Sequence, residues 1–112
     1  MSKEAHLYIA HILESIDYIE QFSNGYNREN IFQDRMRYDA ILRNLQTMAE
    51  SATKLPDSIK ELYKNVPWRD IAGFRNILVH DYLEGLDHNV LWQVISNELT
   101  VLKEAMLAEK NN

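Results

Sequence analysis

Apolar residues recur at helical spacing along two long segments of the chain. In the first segment, of about twenty residues, they are Ala5, Ile9, Ile12, Leu13, Ile16 and Ile19. Gly25 ends this segment, and Asn30 is a candidate N-cap for the next. The second segment runs from near Ile31 to about Thr53, and its apolar face carries Ile41, Leu42, Leu45, Met48, Ala49 and Ala52. Both patterns predict amphipathic helices.

Prolines and glycines divide the rest of the chain. Pro56 stops the second helix, and Asp57 and Ser58 can cap a short third one. Pro67 precedes a fourth helix, which starts at Trp68 and ends at Gly85, and Asp87 is a good N-cap for a fifth. No segment shows strand periodicity, so the sequence predicts an all-α fold: an antiparallel bundle of four to five helices forming a single domain over residues 1–112.

Composition places the chain among ordinary globular proteins. Of its 112 residues, 46% are hydrophobic and 26% are charged. The absence of cysteine excludes disulfides, thiolate metal sites and cysteine nucleophiles. The sequence begins without a long apolar run, and no later stretch approaches a membrane span, so we expect a cytoplasmic protein with no membrane partner.

The net charge of −5 is unevenly distributed. Residues 28–80 hold nine of the twelve basic residues and seven of the seventeen acidic ones, so a local positive groove could form there. From charge alone, solvated helix faces are the better interpretation. The default for Asp34, Arg35, Arg37, Tyr38 and Asp39 is likewise polar surface.

The densest reactive chemistry lies between Arg75 and Tyr82, in the run Arg-Asn-Ile-Leu-Val-His-Asp-Tyr. His80 can exchange protons near neutrality, and Arg75 is a permanent planar cation that binds phosphate through two parallel hydrogen bonds. The structural alternative is that the histidine caps a helix end, the arginine pairs with Asp70 or Asp81, and Tyr82 belongs to the core.

The spacing of this run poses a geometric problem. On a regular helix Tyr82 falls nearly in line with Arg75, whereas His80 lies about 140° around the axis. Either the helix ends or distorts near Val79, or the site combines residues from two chains. Arg43 and Glu50, seven residues apart, share another helical face and are weaker candidates for the same site.

The motif RxxxxHxY resembles that of the HepT branch of the HEPN family of small helical proteins. Similar features extend over most of the chain: Arg43–Ala52, Pro67-Trp68, Gly73-Phe74, Asp87 and Val90–Trp92. One departure is visible, because many relatives read Gly-Glu-Ala where this chain reads Ala49-Glu50-Ser51. That change weakens a role for Glu50.

The resemblance implies a homodimer with paired motifs at a shared cleft, and metal-independent cleavage of RNA that leaves a 2',3'-cyclic phosphate. His80 would act as general base or acid, Arg75 would hold the phosphate, and Asn76 would support them. Neither the carboxylates nor the histidine pair His6 and His11 has metal-ligand spacing, so we expect no metal and no cofactor.

The family also implies a toxin–antitoxin pair. The partner is an MntA-type nucleotidyltransferase antitoxin, which would transfer AMP to Tyr82. Asp81 could tune recognition by that partner, and an exposed acid without a role is an equal alternative. The alternative functions are a non-catalytic HEPN subunit that binds substrate for, or regulates, such a nucleotidyltransferase, and a plain dimerisation module.

Overall fold

Two long antiparallel helices form the centre of the fold, α1 (Lys3–Ser23) and α2 (Arg35–Thr53). Each begins at a side-chain cap: Ala5 N donates to Ser2 Oγ at 3.1 Å, and Arg37 N donates to Asp34 Oδ1 at 3.2 Å. The computed structural model describes all 112 residues and contains no strand.

The predicted start of the second helix is wrong by one short turn. Ile31–Gln33 form a separate 3-10 turn, and α2 begins after Asp34. Asn30 caps neither element with its side chain; its Oδ1 instead accepts from Asn27 N at 2.8 Å, inside the connecting loop. Asp34 is therefore the cap that the sequence interpretation had placed at Asn30.

Shorter helices complete the bundle. They are α3 (Asp57–Leu62), α4 (Trp68–Gly73), α5 (Ile77–Leu83), α6 (His88–Gln93) and α7 (Leu99–Lys110). A 3-10 turn at Phe74–Asn76 joins α4 to α5, and a π-helical segment at Val94–Glu98 joins α6 to α7, so five helical rods result. The predicted all-α architecture of four to five helices is confirmed.

The rods surround one core of 23 buried residues. Helix α2 packs against both α1 and the rod formed by α4 and α5, while α7 packs against α1. The predicted apolar faces of α1 and α2 supply much of this core, including Ile9, Ile12, Ile16, Ile41, Leu45 and Met48. The rod that carries the RxxxxHxY motif therefore packs directly against α2. No helix combines the length and apolar character needed to cross a membrane.

The departure at Ser51 has a structural role. Ser51 is buried, and its Oγ lies 2.7 Å from His11 Nδ1 across the contact between α1 and α2. The hydroxyl therefore satisfies a ring nitrogen of a half-buried histidine that an alanine would leave without this partner.

Candidate active site

Arg75 lies on the 3-10 turn between α4 and α5. Its Nε donates to Ala72 O at 3.2 Å, and its guanidinium makes no ion pair. The pairings with Asp70 or Asp81 that a purely structural role would require are absent. The exposed guanidinium therefore keeps most of its donors free for an anion.

The irregularity in this rod lies at Arg75 itself. Helix α5 continues through Val79 to Leu83, so the first of the two alternatives, an end or a distortion near Val79, is not what the structure contains. A 3-10 turn advances about 120° per residue instead of about 100°, so ideal geometry places Arg75 and His80 about 180° apart around the rod axis. The tightened turn widens the separation predicted for a regular helix, which favours a site that combines residues from two chains.

His80 and Tyr82 project outward from α5. His80 keeps 56% of its side chain exposed, with Nδ1 3.5 Å from Glu84 Oε2 one turn later. Tyr82 is 87% exposed and its hydroxyl has no partner in the chain. It is therefore no core residue, and its phenolic oxygen is open to a reactant.

Asp81, between these two, faces the opposite way. Its carboxylate accepts a short hydrogen bond from the hydroxyl of Tyr38 on α2. Tyr38 is buried at 4% exposure, against the surface role that the sequence predicted. Burial, followed by the hydrogen bond to Asp81, raises the pKa of the Tyr38 hydroxyl above its ordinary value. This hydrogen bond fastens the motif helix to the centre of the fold.

An aromatic cluster surrounds that hydrogen bond. The ring of Phe32 stacks on His88 with centroids 4.4 Å apart and meets Tyr38 edge-on at 5.6 Å. The sequence contained a signal for Tyr38: it precedes Ile41 by three residues and Leu45 by seven, which places it on the apolar stripe of α2.

A pocket of about 550 Å³ opens beside the motif, between α4–α5 and the α6 rod. Apolar side chains form half of its lining, and the polar residues are Arg69, Asp70, His80, Asp87 and Glu98. His80 lines this pocket, whereas Arg75 and Tyr82 do not. Asp87 is already engaged there as the N-cap of α6, accepting from Asn89 N at 2.9 Å.

Glu98 is the unsatisfied group of this pocket. It ends the π-helical segment, and its Oε2 is buried without a hydrogen-bond partner. Burial, with the negative charge of Asp70 as a second cause, raises the pKa of its carboxyl. π-Helical segments are frequent at functional sites. No local sequence pattern marks a π-segment, so Glu98 is not among the site residues that the sequence predicts.

The weaker candidates Arg43 and Glu50 lie elsewhere. Both are exposed on α2, and neither lines the pocket. Arg43, Arg69 and Arg75 nevertheless share one property: none has a carboxylate partner, whereas Arg28, Arg35 and Arg37 are all paired. No group of three histidine or acidic side chains converges in a way that could hold a metal ion.

Comparisons with known proteins identify relatives. The profile of a family described as "Ribonuclease HepT-like" matches residues 12–108. The chain is 31% identical to a "Putative RNase" of Caldanaerobacter subterraneus subsp. tengcongensis, covering 92% of this chain and 95% of that protein. It is 32% identical to a "Probable ribonuclease HepT" of Thermococcus cleftensis, covering 86% of each.

A further relative is larger. The chain is 33% identical to a Methanocaldococcus jannaschii protein named "Gamma-glutamylcyclotransferase and putative RNase", covering 96% of this chain but 48% of that protein. The chain thus spans about half the length of that protein. No solved structure matches the chain.

Proposed function

The chain belongs to the HepT-like ribonuclease family, and on this premise we propose that it is a metal-independent endoribonuclease acting as the toxin of a cytoplasmic toxin–antitoxin pair. The observation that carries the proposal is that the reactive side chains of the motif are exposed and that its arginine is unpaired. Arg75 has no ion pair, and His80 and Tyr82 are exposed within the same eight residues. A permanent cation and a proton-transfer group are the two components that phosphodiester cleavage needs.

The reaction uses the 2'-hydroxyl of the RNA. A general base removes its proton, the 2'-oxygen bonds to the adjacent phosphorus, and the bond from phosphorus to the 5'-oxygen breaks as that oxygen takes up a proton. The products are a 2',3'-cyclic phosphate and a 5'-hydroxyl. His80 serves one of the two proton transfers, Arg75 neutralises the charge that develops on the phosphate, and Asn76 donates a supporting hydrogen bond.

The active form in this proposal is a homodimer. Because Arg75 and His80 diverge around their own rod, the arginine of one copy complements the histidine of the other across a shared cleft. Exposed apolar side chains support such pairing: Val79 is 57% exposed and Leu83 70%. Both lie on the motif helix α5, where a second copy would cover them.

Tyr82 is the switch in this account. An MntA-type nucleotidyltransferase would let the phenolic oxygen attack the α-phosphorus of ATP, so that AMP is attached and diphosphate leaves. Tyr82 is 87% exposed, which gives a partner enzyme access. The added phosphate would lie nearly in line with Arg75 on the rod and compete for its charge, and cleavage would stop.

Matched substitutions test the proposal. Arg75→Ala and His80→Ala should each abolish RNA cleavage and growth arrest, while Arg35→Ala and His6→Ala, which remove exposed residues of the same types, should leave both intact. Tyr82→Phe should still cleave but should accept no AMP from the partner enzyme, read by mass spectrometry. Growth arrest that survives His80→Ala would refute the catalytic assignment.

A further inference from the structure

The pocket beside His80 has a function that the cleavage mechanism leaves unassigned. We propose that it binds a nucleobase of the RNA substrate and that Glu98 recognises guanine through the N1–H and N2–H donors of that base. The inference rests on the proposed RNA substrate, and it adds a base-reading subsite to the site of cleavage.

The pocket lies directly beside His80, where the base of a bound nucleotide would be. His80 lines the pocket while its side chain also remains 56% exposed, so one imidazole borders both the pocket and the solvent from which RNA approaches. A ribose whose 2'-hydroxyl reaches His80 carries its base on the neighbouring carbon. That base must occupy space next to the imidazole, and the pocket of about 550 Å³ provides it.

The lining is the second argument. Ligand sites are mostly apolar with a few directed polar groups. Here Phe74 supplies an aromatic surface, and Leu86, Val90 and Val94 supply aliphatic ones. A base can stack or pack on these side chains while its hydrogen-bonding edge points deeper into the pocket.

The chemistry of Glu98 selects the base. An ionised carboxylate only accepts hydrogen bonds, and its two oxygens match two parallel donors. Guanine offers such a pair at N1 and N2. Adenine and cytosine each place an unprotonated ring nitrogen beside their amino group, which would face a carboxylate oxygen and repel it. Uracil offers one N–H donor between two acceptors.

The electrostatics of the pocket favour a ligand that donates hydrogen bonds to Glu98. The Oε2 of Glu98 is closed off from solvent and has no partner, and the charge of Asp70 opposes that of Glu98. A carboxylate in this state is costly until donors reach it. In this proposal the carboxylate turns toward the pocket when the base binds, so that both oxygens reach the donors. Arg69 also lines the pocket without an ion-pair partner, so a cation is present for the phosphates of the strand that carries the base.

The test measures binding, so it does not depend on cleavage. Five-residue 2'-O-methyl oligonucleotides cannot form the cyclic product, and they would carry uracil everywhere except at a central guanine, inosine, adenine, cytosine or uracil. Fluorescence anisotropy should show the guanine oligomer binding about tenfold more tightly than the others. Inosine is the sharpest comparison, because it lacks only the N2 amino group.

Two variants assign the preference to the pocket. Glu98→Gln should bring the guanine oligomer down to the affinity of the inosine oligomer, while Glu104→Gln, at an exposed position of α7, should keep the full preference. Equal affinity of wild-type protein for all five oligomers would overturn the proposal. A Glu98→Gln variant with altered monomer–dimer equilibrium in sedimentation but unchanged base preference would also overturn it, because a second copy would then fill the pocket. If the wild-type protein prefers the guanine oligomer but does not cleave unmodified RNA, that result would count against the proposed catalysis and leave the base-binding pocket supported.

Discussion

At Glu98 the fold keeps an acidic group where burial disfavours its charge. The raised pKa means that the ionised carboxylate is less favourable in the folded chain than in the unfolded chain, so the folded state loses stability as pH rises from the ordinary glutamate pKa through the raised one. A group retained at such a cost is typical of functional sites. Glutamine keeps the shape of the side chain and cannot ionise, which makes it the informative replacement.

Glu98→Gln should therefore raise the free energy of unfolding at neutral pH. The gain should shrink as pH falls, and it should vanish well below the ordinary glutamate value of 4.5, where both side chains are neutral. Urea unfolding at about pH 7 and about pH 3.5 would measure both differences. Glu104→Gln is the exposed control, and a variant less stable than wild type at neutral pH would contradict this account.

The hydroxyl of Tyr38, in contrast to the carboxylate of Glu98, stabilises the folded state at neutral pH. Tyr38→Phe removes only the hydroxyl that binds Asp81, and it should lower the free energy of unfolding by about 1.5–3 kcal/mol, the usual range for a hydrogen bond to a charged group. Because the pKa of Tyr38 is raised, this stabilisation should be complete below about pH 10 and decline at higher pH. Tyr18→Phe, at an exposed ring, is the control for chemical denaturation, and an equal effect of the two changes would refute the assignment.

At the scale of elements, helix ends follow from local chemistry. Pro56, Pro67, Gly85 and Asp87 mark boundaries that the sequence predicts and the structure contains. The 3-10 turn at Phe74–Asn76 and the π-segment at Val94–Glu98 had no such signal. Neither segment contains a proline or a glycine, so no local residue type marks either irregularity in the sequence.

Substituting alanine for the two glycines on either side of the motif should change the free energy of unfolding in opposite directions. Gly85 has φ of +77°, so Gly85→Ala should cost about 1–2 kcal/mol of backbone strain. Gly73 is helical with φ of −61°, so Gly73→Ala should stabilise by about 0.4–1 kcal/mol. An added Cβ would meet nothing within 4 Å at either position, so packing does not obscure the comparison. Thermal unfolding of both variants measures the two stability changes, and a change in the same direction for both would contradict this prediction.

At the scale of the whole molecule, the sequence predicts the fold better than the site. Periodicity and caps identify the five rods because each depends on nearby residues. Tyr38 was misassigned to the surface because its partner Asp81 is 43 positions away, and the pocket forms from segments that meet only in the folded chain. Because Arg75 and His80 point in different directions around the rod, the complete site in the proposed function requires two chains.

Mixed dimers test that two-chain site. Arg75→Ala and His80→Ala variants are each expected to be inactive alone. After they are unfolded and refolded together, half of the dimers should be mixed, and each mixed dimer keeps one intact pair, so about a quarter of wild-type cleavage should return. Refolding either variant by itself is the control. No recovery from a mixture shown to contain mixed dimers would place both residues in a site within one chain.

The most direct measurement incubates the purified chain, free of its partner and in the presence of EDTA, with a mixed pool of RNA, and determines the chemistry of the new ends. His80→Ala and His6→Ala accompany it as the test and the control. We expect wild type and His6→Ala to produce fragments ending in 2',3'-cyclic phosphate and 5'-hydroxyl, and His80→Ala to produce none. Intact RNA after incubation with folded, unmodified dimer would contradict it and would favour a non-catalytic subunit that binds or regulates a nucleotidyltransferase.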